Sequence, residues 1–326
     1  MELEKVAEYI GLNYPDVWRG EERRRIEETY CPGWFRQFEI ASFLTWYGVD
    51  SAYAVRVLEE AERVKADPML EQAVFAMYST LFFAESAVHQ TIWEWTATFE
   101  EHGSPMLCAL ALLCGQPLHQ AVMERKHFDE EQIHMHKEEV RKSFYSERDV
   151  YGVDGIRFTL MIWCSIFMRG EIIGCGRLQY EVGTCVAKRI LPHVEKGTVC
   201  AYIHIPGGTK LTKEAVLASL RQAKEDVARY YPETKGAELA FCTQTWLLSP
   251  EIREFLSEES NILHFQKLFR IVDTIPGNGP FLDFLFRAPG ETHYERLPED
   301  TSLRRTVKKV LMEGKNLQMG VGIVKE

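Results

Sequence analysis

The glycine pair in Pro206-Gly207-Gly208, with Lys210 and Lys213 just beyond it, is the stretch of this chain best suited to holding an anion. A strand that ends on paired glycines and passes into a helix aims the helix's unpaired N–H groups and the positive end of its dipole at one spot. The two lysines add charge there. The spacing is neither the dinucleotide-binding glycine fingerprint nor the P-loop, so the pattern points to a phosphate-type anion without specifying a nucleotide. Most strand–turn–helix units bind nothing, and that plainer reading stands beside it.

A second group, Glu130, Glu131, His134, His136 and Glu138, invites a metal reading. On a helix Glu130, His134 and Glu138 share a face, while His136 lies well round the other side. No H-E-x-x-H arrangement is present. Lys137, Arg141 and Lys142 continue the charge pattern, so the expectation is a solvated, ion-laced helix and no metal.

The elements around the glycine turn are legible. Val199, Ala201, Ile203 and Ile205 alternate with Cys200, Tyr202 and His204, the period of two of a strand. Proline and two glycines end it. Thr212 is placed to cap a helix whose apolar stripe is Val216, Leu220, Ala223, Val227 and Tyr230, and Pro232 stops that helix. Upstream, Gly174 to Val182 alternates, with Leu178, Tyr180 and Val182 on one face and Arg177, Gln179 and Glu181 on the other. Downstream, Leu239 to Leu248 is apolar enough for a central strand. Short helices follow at Glu251–Leu256 and Ser260–Phe269. Strands are expected at Arg270–Ile275 and Pro280–Arg287 around Pro276-Gly277-Asn278-Gly279, then a last helix from Asp300 or Thr301 to Met312.

Residues 1–150 read differently. Helix follows helix, with Asp50 or Ser51, Ser104-Pro105 and Asp129 as start signals. Trp34, Phe35, Phe38, Phe43, Trp46, Tyr47, Trp93 and Trp95 are expected to pack a helical core rather than line a groove. The fold class is therefore α+β: an all-helical N-terminal domain over 1–150, then a mixed β-sheet domain flanked by helices over 151–326, with the apolar helix Ile156–Met168 in the second.

At 326 residues the chain can bury two cores. A net charge of -10 argues against nucleic-acid and anionic-membrane partners, which select basic surfaces. None of the eight cysteines forms a C-x-x-C pair, which favours free thiols in a reducing compartment. The start of the chain lacks a signal-peptide plan and no apolar run is long enough for a bilayer, so a cytoplasmic location is expected. Oligomeric state is open.

From Phe128 to Pro289 the chain resembles a known family. The residues carrying the resemblance are Gly176-Arg177-Leu178-Gln179-Tyr180-Glu181, His204-Ile205-Pro206-x-Gly208 with Leu211-Thr212, Cys242-x-x-Thr245-Trp246-Leu247-Leu248-Ser249-Pro250, and Ser260-Asn261-Ile262-Leu263-x-Phe265. The family is that of bacterial acyltransferase-domain-containing proteins, which join a helical N-acyltransferase N-terminal domain to a GNAT-like C-terminal domain. The resemblance implies a fold in which two strands splay and coenzyme A lies in the gap. It implies that Gly207, Gly208, Thr209, Lys210, Thr212 and Lys213 hold the pyrophosphate, with Asn261 also among the cofactor-binding residues. The cofactor implied is acetyl-CoA or another acyl-CoA, and the partner a small-molecule or peptide amine.

The chemistry implied is attack of an amine on a thioester, which needs a base, an oxyanion donor and an acid for the thiolate. The expected catalytic residues are His204 and Glu181 as bases and Thr245, or the backbone at Trp246, as donor. Plainer roles are strand cross-linking by His204, an ion pair of Glu181 with Arg177, and edge satisfaction by Thr245. Two features depart from the ordinary GNAT pattern. The loop opens with Pro206 where an Arg or Gln is usual, and Phe265 stands where a catalytic tyrosine often lies. Those departures suit an alternative, a catalytically inactive GNAT-like domain that binds acyl-CoA or a protein partner.

Overall fold

Short polar side chains start four helices of the N-terminal half, each by accepting from a first-turn N–H group. Asp50 accepts from Tyr53, Asp67 from Met69 and Leu70, Ser104 from Met106, and Asp129 from Gln132. In the computed structural model these and their neighbours give α1 (Leu3–Tyr9), α2 (Gly20–Thr29), α3 (Ile40–Tyr47), α4 (Ser51–Ala66), α5 (Pro68–Phe83), α6 (Pro105–Cys114), α7 (Gln116–Arg125), α8 (Glu130–Tyr151) and α9 (Phe158–Met168). The structure describes residues 1–84, 102–182, 189–208, 210–253, 255–288 and 290–325. Trp93, Trp95, Cys185 and Thr209 lie outside them.

Two compact units result, Met1–Glu171 and Ile172–Glu326. Helix α9 packs on α6 and α8 within the first, so the apolar segment that the sequence grouped with the sheet lies in the helical unit. Helix α6 is apolar all round and buried from Met106 to Cys114, as a central helix must be. Trp34 packs edge-on or tilted against Phe38, Phe75 and Tyr78, and Phe38 meets Tyr78 edge-on. No single helix among the described residues is long and apolar enough to cross a membrane.

The charged helix α8 turns Gln132, His136, Val140 and Phe144 inward. Glu138 pairs with Arg141 at 2.6 Å, whereas His136 is fully buried. It belongs to a chain in which Tyr47 Oη lies 2.9 Å from His119 Nδ1, His119 Nε2 lies 3.3 Å from His136 Nδ1, and that nitrogen donates to the Phe167 carbonyl at 3.1 Å. Burial first, then His136 and Lys137, hold the His119 pKa well below its ordinary range. Unfolding releases a histidine that titrates near 6.5, about its ordinary value, so the unfolded chain binds a proton that the folded chain refuses. Stability is therefore intact above that pH and falls as the pH drops below it. One unit below, the loss from this residue is about 1.4 kcal/mol. Thermal melts at neutral and mildly acidic pH are expected to show the drop, and His119→Gln to shrink it. An equal drop in both proteins would place the acid sensitivity elsewhere.

The second unit is built on β1 (Ile172–Cys175), β2 (Leu178–Val182), β3 (Val199–His204), β4 (Leu239–Thr245), β5 (Phe269–Pro276) and β6 (Gln318–Val324), with α10 (Lys213–Tyr230), α11 (Pro250–Arg253), α12 (Asn261–Lys267) and α13 (Ser302–Met312). The sheet order is β1-β2-β3-β4-β6-β5. All neighbours are antiparallel except β3 and β4, which run parallel across the α10 crossover.

Two expectations change here. Pro280–Arg287 is no strand: Phe281–Phe286 is a π-helical turn, and Phe281, Leu282 and Phe286 enter a core with Val307, Val310 and Leu311. A short apolar run cannot distinguish strand from helix by period. The strand that fills the sheet between β4 and β5 is instead β6, after α13. Its Gly320 and Gly322 weaken the strand pattern, yet they are required: a Cβ at either would strike Leu248 in the turn packed over them.

Candidate functional site

Strand parity sorts the polar residues. The registers Gln179↔His204, Glu181↔Tyr202 and Tyr202↔Cys242 put Gln179, Glu181, Tyr202, His204, Cys242 and Gln244 on one face. Tyr180, Ile203, Phe241, Thr243 and Thr245 take the other, where the Tyr180 hydroxyl lies 2.9 Å from Ser219 Oγ of α10. On the same face Cys200, Cys242, Val321 and Ile323 join Ile190 in an apolar cluster.

Strands β3 and β4 part at their C-terminal ends. Their ladder stops at Tyr202↔Cys242, although β3 continues to His204 and β4 to Thr245. Side chains bridge the opening. Tyr202 Oη donates to the Gln244 carbonyl and accepts from the Gln244 N–H, each at 3.0 Å, and Thr243 Oγ1 donates to the Ile203 carbonyl at 2.9 Å. Burial pushes the Tyr202 phenol well up, so it stays protonated and available for that double role. Tyr202→Phe keeps the ring and strips Gln244 of both partners, which costs about 1–3 kcal/mol when such groups are left buried. The expected result is a lower melting temperature and faster exchange of the Gln244 amide. An unchanged exchange rate would show that the hydroxyl does not hold this junction.

Glu181 and His204 meet beside the opening. They are diagonal neighbours on adjacent strands, within reach of long side chains. His204 Nε2 donates to Glu181 Oε2 at 2.9 Å; Glu181 is 7% exposed, which shields the pair from water. With Nε2 carrying the proton, the lone pair of the neutral ring is on Nδ1. The Tyr202 ring packs against the imidazole with centroids 4.9 Å apart. Glu181 is therefore engaged by His204 and not by Arg177, which has no ion pair among the described residues.

Thr245 is not brought to them. It lies on the opposite face, where its Oγ1 accepts from Leu247 N–H at 3.2 Å and caps the short turn Trp246–Leu248. Phe265 is buried against Phe269. Asn261 is the first residue of α12, and that helix packs against α10.

Strand β3 leads directly into the glycine turn. Gly208 has φ +100°, a conformation that favours glycine, and a Cβ at Gly207 or Gly208 would meet nothing within 4 Å. Thr212 caps α10 by accepting from Ala215 N–H at 3.2 Å. Among the described residues no hydrogen bond is donated by the amides of Gly207, Gly208, Lys210, Lys213 or Glu214. Gly207, Gly208, Lys210 and Lys213 are exposed. Among the described residues the turn is open, the amides of Gly207 and Gly208 are unengaged, and an 18-residue helix points its N-terminus at it. Sequence reasoning missed Tyr202 and Gln244. The only signal was Tyr202's place on the same strand face as His204.

A mixed six-stranded sheet whose parallel pair parts at one end, with a long helix starting from an open glycine turn at that end, is a GNAT-like fold. Residues 172–324, nearly the whole of the second unit, match the model of the GNAT-like C-terminal domain. Three solved structures are similar over nearly the whole chain. One is an acyltransferase mutant in complex with octanoyl-CoA, 21% identical, with a TM-score of 0.75, covering 100% of this chain and 99% of that one. Another is an acyltransferase in complex with CoA and 10C-teicoplanin, 22% identical, with a TM-score of 0.75 and the same coverage. A third, in complex with decanoyl-CoA, is 23% identical, with a TM-score of 0.69 and 99% of both chains covered. Curated proteins include no significant match to the sequence.

Proposed function

We propose that this protein transfers an acyl group from an acyl-CoA thioester to an amine. The observation that carries this reading is that β3 leads from His204, paired with Glu181 of β2, into an open glycine turn whose Gly207 and Gly208 amides are unengaged among the described residues, with the parted ends of β3 and β4 beside them. The acyl-CoA complexes of the structural neighbours support it. In this reading the diphosphate rests on the amides of Gly207, Gly208 and the start of α10, helped by Lys210 and Lys213; Thr209, Thr212 and Asn261 belong to the same proposal. The pantetheine arm runs beside the parting of the strands, past the Tyr202 hydroxyl that bridges it.

Catalysis follows from the pair. Glu181 holds the imidazole with Nε2 protonated, and the lone pair on Nδ1 removes a proton from the acceptor amine, directly or through water. The amine nitrogen then bonds to the thioester carbon, the carbonyl π pair moves to oxygen, and its return breaks the C–S bond. The thiolate leaves and takes up a proton. A thiolate is a tolerable leaving group, so Phe265 in place of a tyrosine acid is compatible with turnover. Donation to the oxyanion by Thr245 or the Trp246 amide would have to come from the far face.

The acceptor proposed is a small-molecule or peptide amine, a class consistent with the neighbour bound to 10C-teicoplanin. Thiol release from octanoyl- and decanoyl-CoA, measured with and without a panel of amines that includes glycopeptides, tests the reading. Amine-dependent release supports it. Phe265 favours one second reading, a non-catalytic acyl-CoA binder, and tight CoA binding with no thiol release from any amine would select that reading instead.

A further inference from the structure

The hairpin that joins β1 to β2 turns on two residues, Gly176 and Arg177, between the pair Cys175↔Leu178. Its tip lies at the same end of the sheet as the C-terminus of β3, because β2 and β3 are antiparallel with Gln179 opposite His204. Continuing that register by two residues sets Arg177 opposite Pro206, the residue before the open glycines. The hairpin is also fixed to α10. Ser219 Oγ donates to the Cys175 carbonyl, and Cys175 Sγ donates to Asp226 Oδ2 at 3.4 Å.

Among the described residues Arg177 is a cation without a counter-charge. Its Nε is buried and has no hydrogen-bond partner, and among the described residues the side chain makes no ion pair. The carboxylate nearest along its own strand, Glu181, is taken by His204. A buried guanidinium N–H without an acceptor is costly, and such a group is ordinarily matched to a carboxylate or a phosphate. Removal from water lowers the Arg177 pKa, the response of a cation that lacks an anion.

We propose that Arg177 is a phosphate ligand of coenzyme A, reaching the glycine turn from the neighbouring hairpin where Pro206 has displaced the basic or amide side chain usual at the head of that loop. This rests on the acyl-CoA reading. Coenzyme A carries a diphosphate and a 3′-phosphate; the guanidinium fork suits either, and the amides of the turn supply the remaining donors.

Titration calorimetry of the full chain with CoA, dephospho-CoA and pantetheine separates the possibilities. Arg177→Ala is expected to weaken CoA binding by about 10- to 100-fold, the loss of one or two charge-assisted hydrogen bonds, and Arg177→Lys to recover part of it. The preference of the parent for CoA over pantetheine is expected to fall by the same factor. Loss retained with dephospho-CoA assigns the diphosphate; loss confined to CoA assigns the 3′-phosphate. The melting temperature of the ligand-free variant should not fall, since no partner is removed. An unchanged preference for CoA in Arg177→Ala overturns the role of Arg177 and leaves the acyl-CoA reading intact. Failure of the parent protein to prefer CoA over pantetheine overturns both.

Discussion

His204→Gln is expected to lower kcat for acyl transfer by about 100- to 10,000-fold, the usual contribution of a positioned general base, while CoA affinity changes little. The split follows from geometry. His204 lies on the strand face that bears Glu181 and Tyr202, whereas the proposed diphosphate contacts begin three residues later at Gly207. Glutamine is near in length and keeps a polar group beside Glu181, so the strand pair is little disturbed. Glu181→Gln is expected to lower kcat as well, because its amide can donate to Nε2 and stabilise the ring with the lone pair on the wrong nitrogen. Rates of thiol release at saturating acyl-CoA and acceptor measure both. If His204→Gln retains kcat within a few-fold, the base is another residue and the Glu181–His204 pair is a strand cross-link.

The second large effect falls on binding. Gly208→Glu is expected to reduce acyl-CoA affinity by about 100-fold or more, from two causes. A carboxylate placed against a diphosphate at short range is repelled, by several kcal/mol at low effective dielectric. A side chain at φ +100° also strains the turn, by about 1–2 kcal/mol for a non-glycine residue held at left-handed φ. Gly208→Ala separates the two: its Cβ enters open space, so it carries the strain without the charge and is expected to lose much less. Calorimetry with CoA supplies the comparison. Equal affinities in Gly208→Glu and the parent would place the ligand away from this turn.

Much of the fold was readable because helix caps and strand alternation are local. Thr212, Asp129, Ser104 and Thr301 cap their helices, and each motif spans only a few residues. Segments whose identity depends on distant partners were misread. Phe281–Phe286 coils because α13 receives its aromatic side chains, and Gln318–Val324 pairs with β4 and β5 although two glycines dilute its pattern. At the site, Glu181 and His204 could be singled out by type and strand face, and the assignment to acyl-CoA came from family resemblance, since the spacing of the glycine turn fits no nucleotide fingerprint.

Alone, the sequence determined that a strand, an open glycine turn and a capped helix occur in that order at Val199–Tyr230, since the period of two, the lost proline N–H and the threonine cap all act within a few residues. Only the tertiary structure decided that Glu181 is engaged by His204, that the Tyr202 hydroxyl occupies the parting of β3 and β4, and that Thr245 faces the other way. Those outcomes depend on strand order and register, which are set by contacts between residues far apart in the chain, 42 positions for Tyr202 and Gln244, and leave no trace in local spacing.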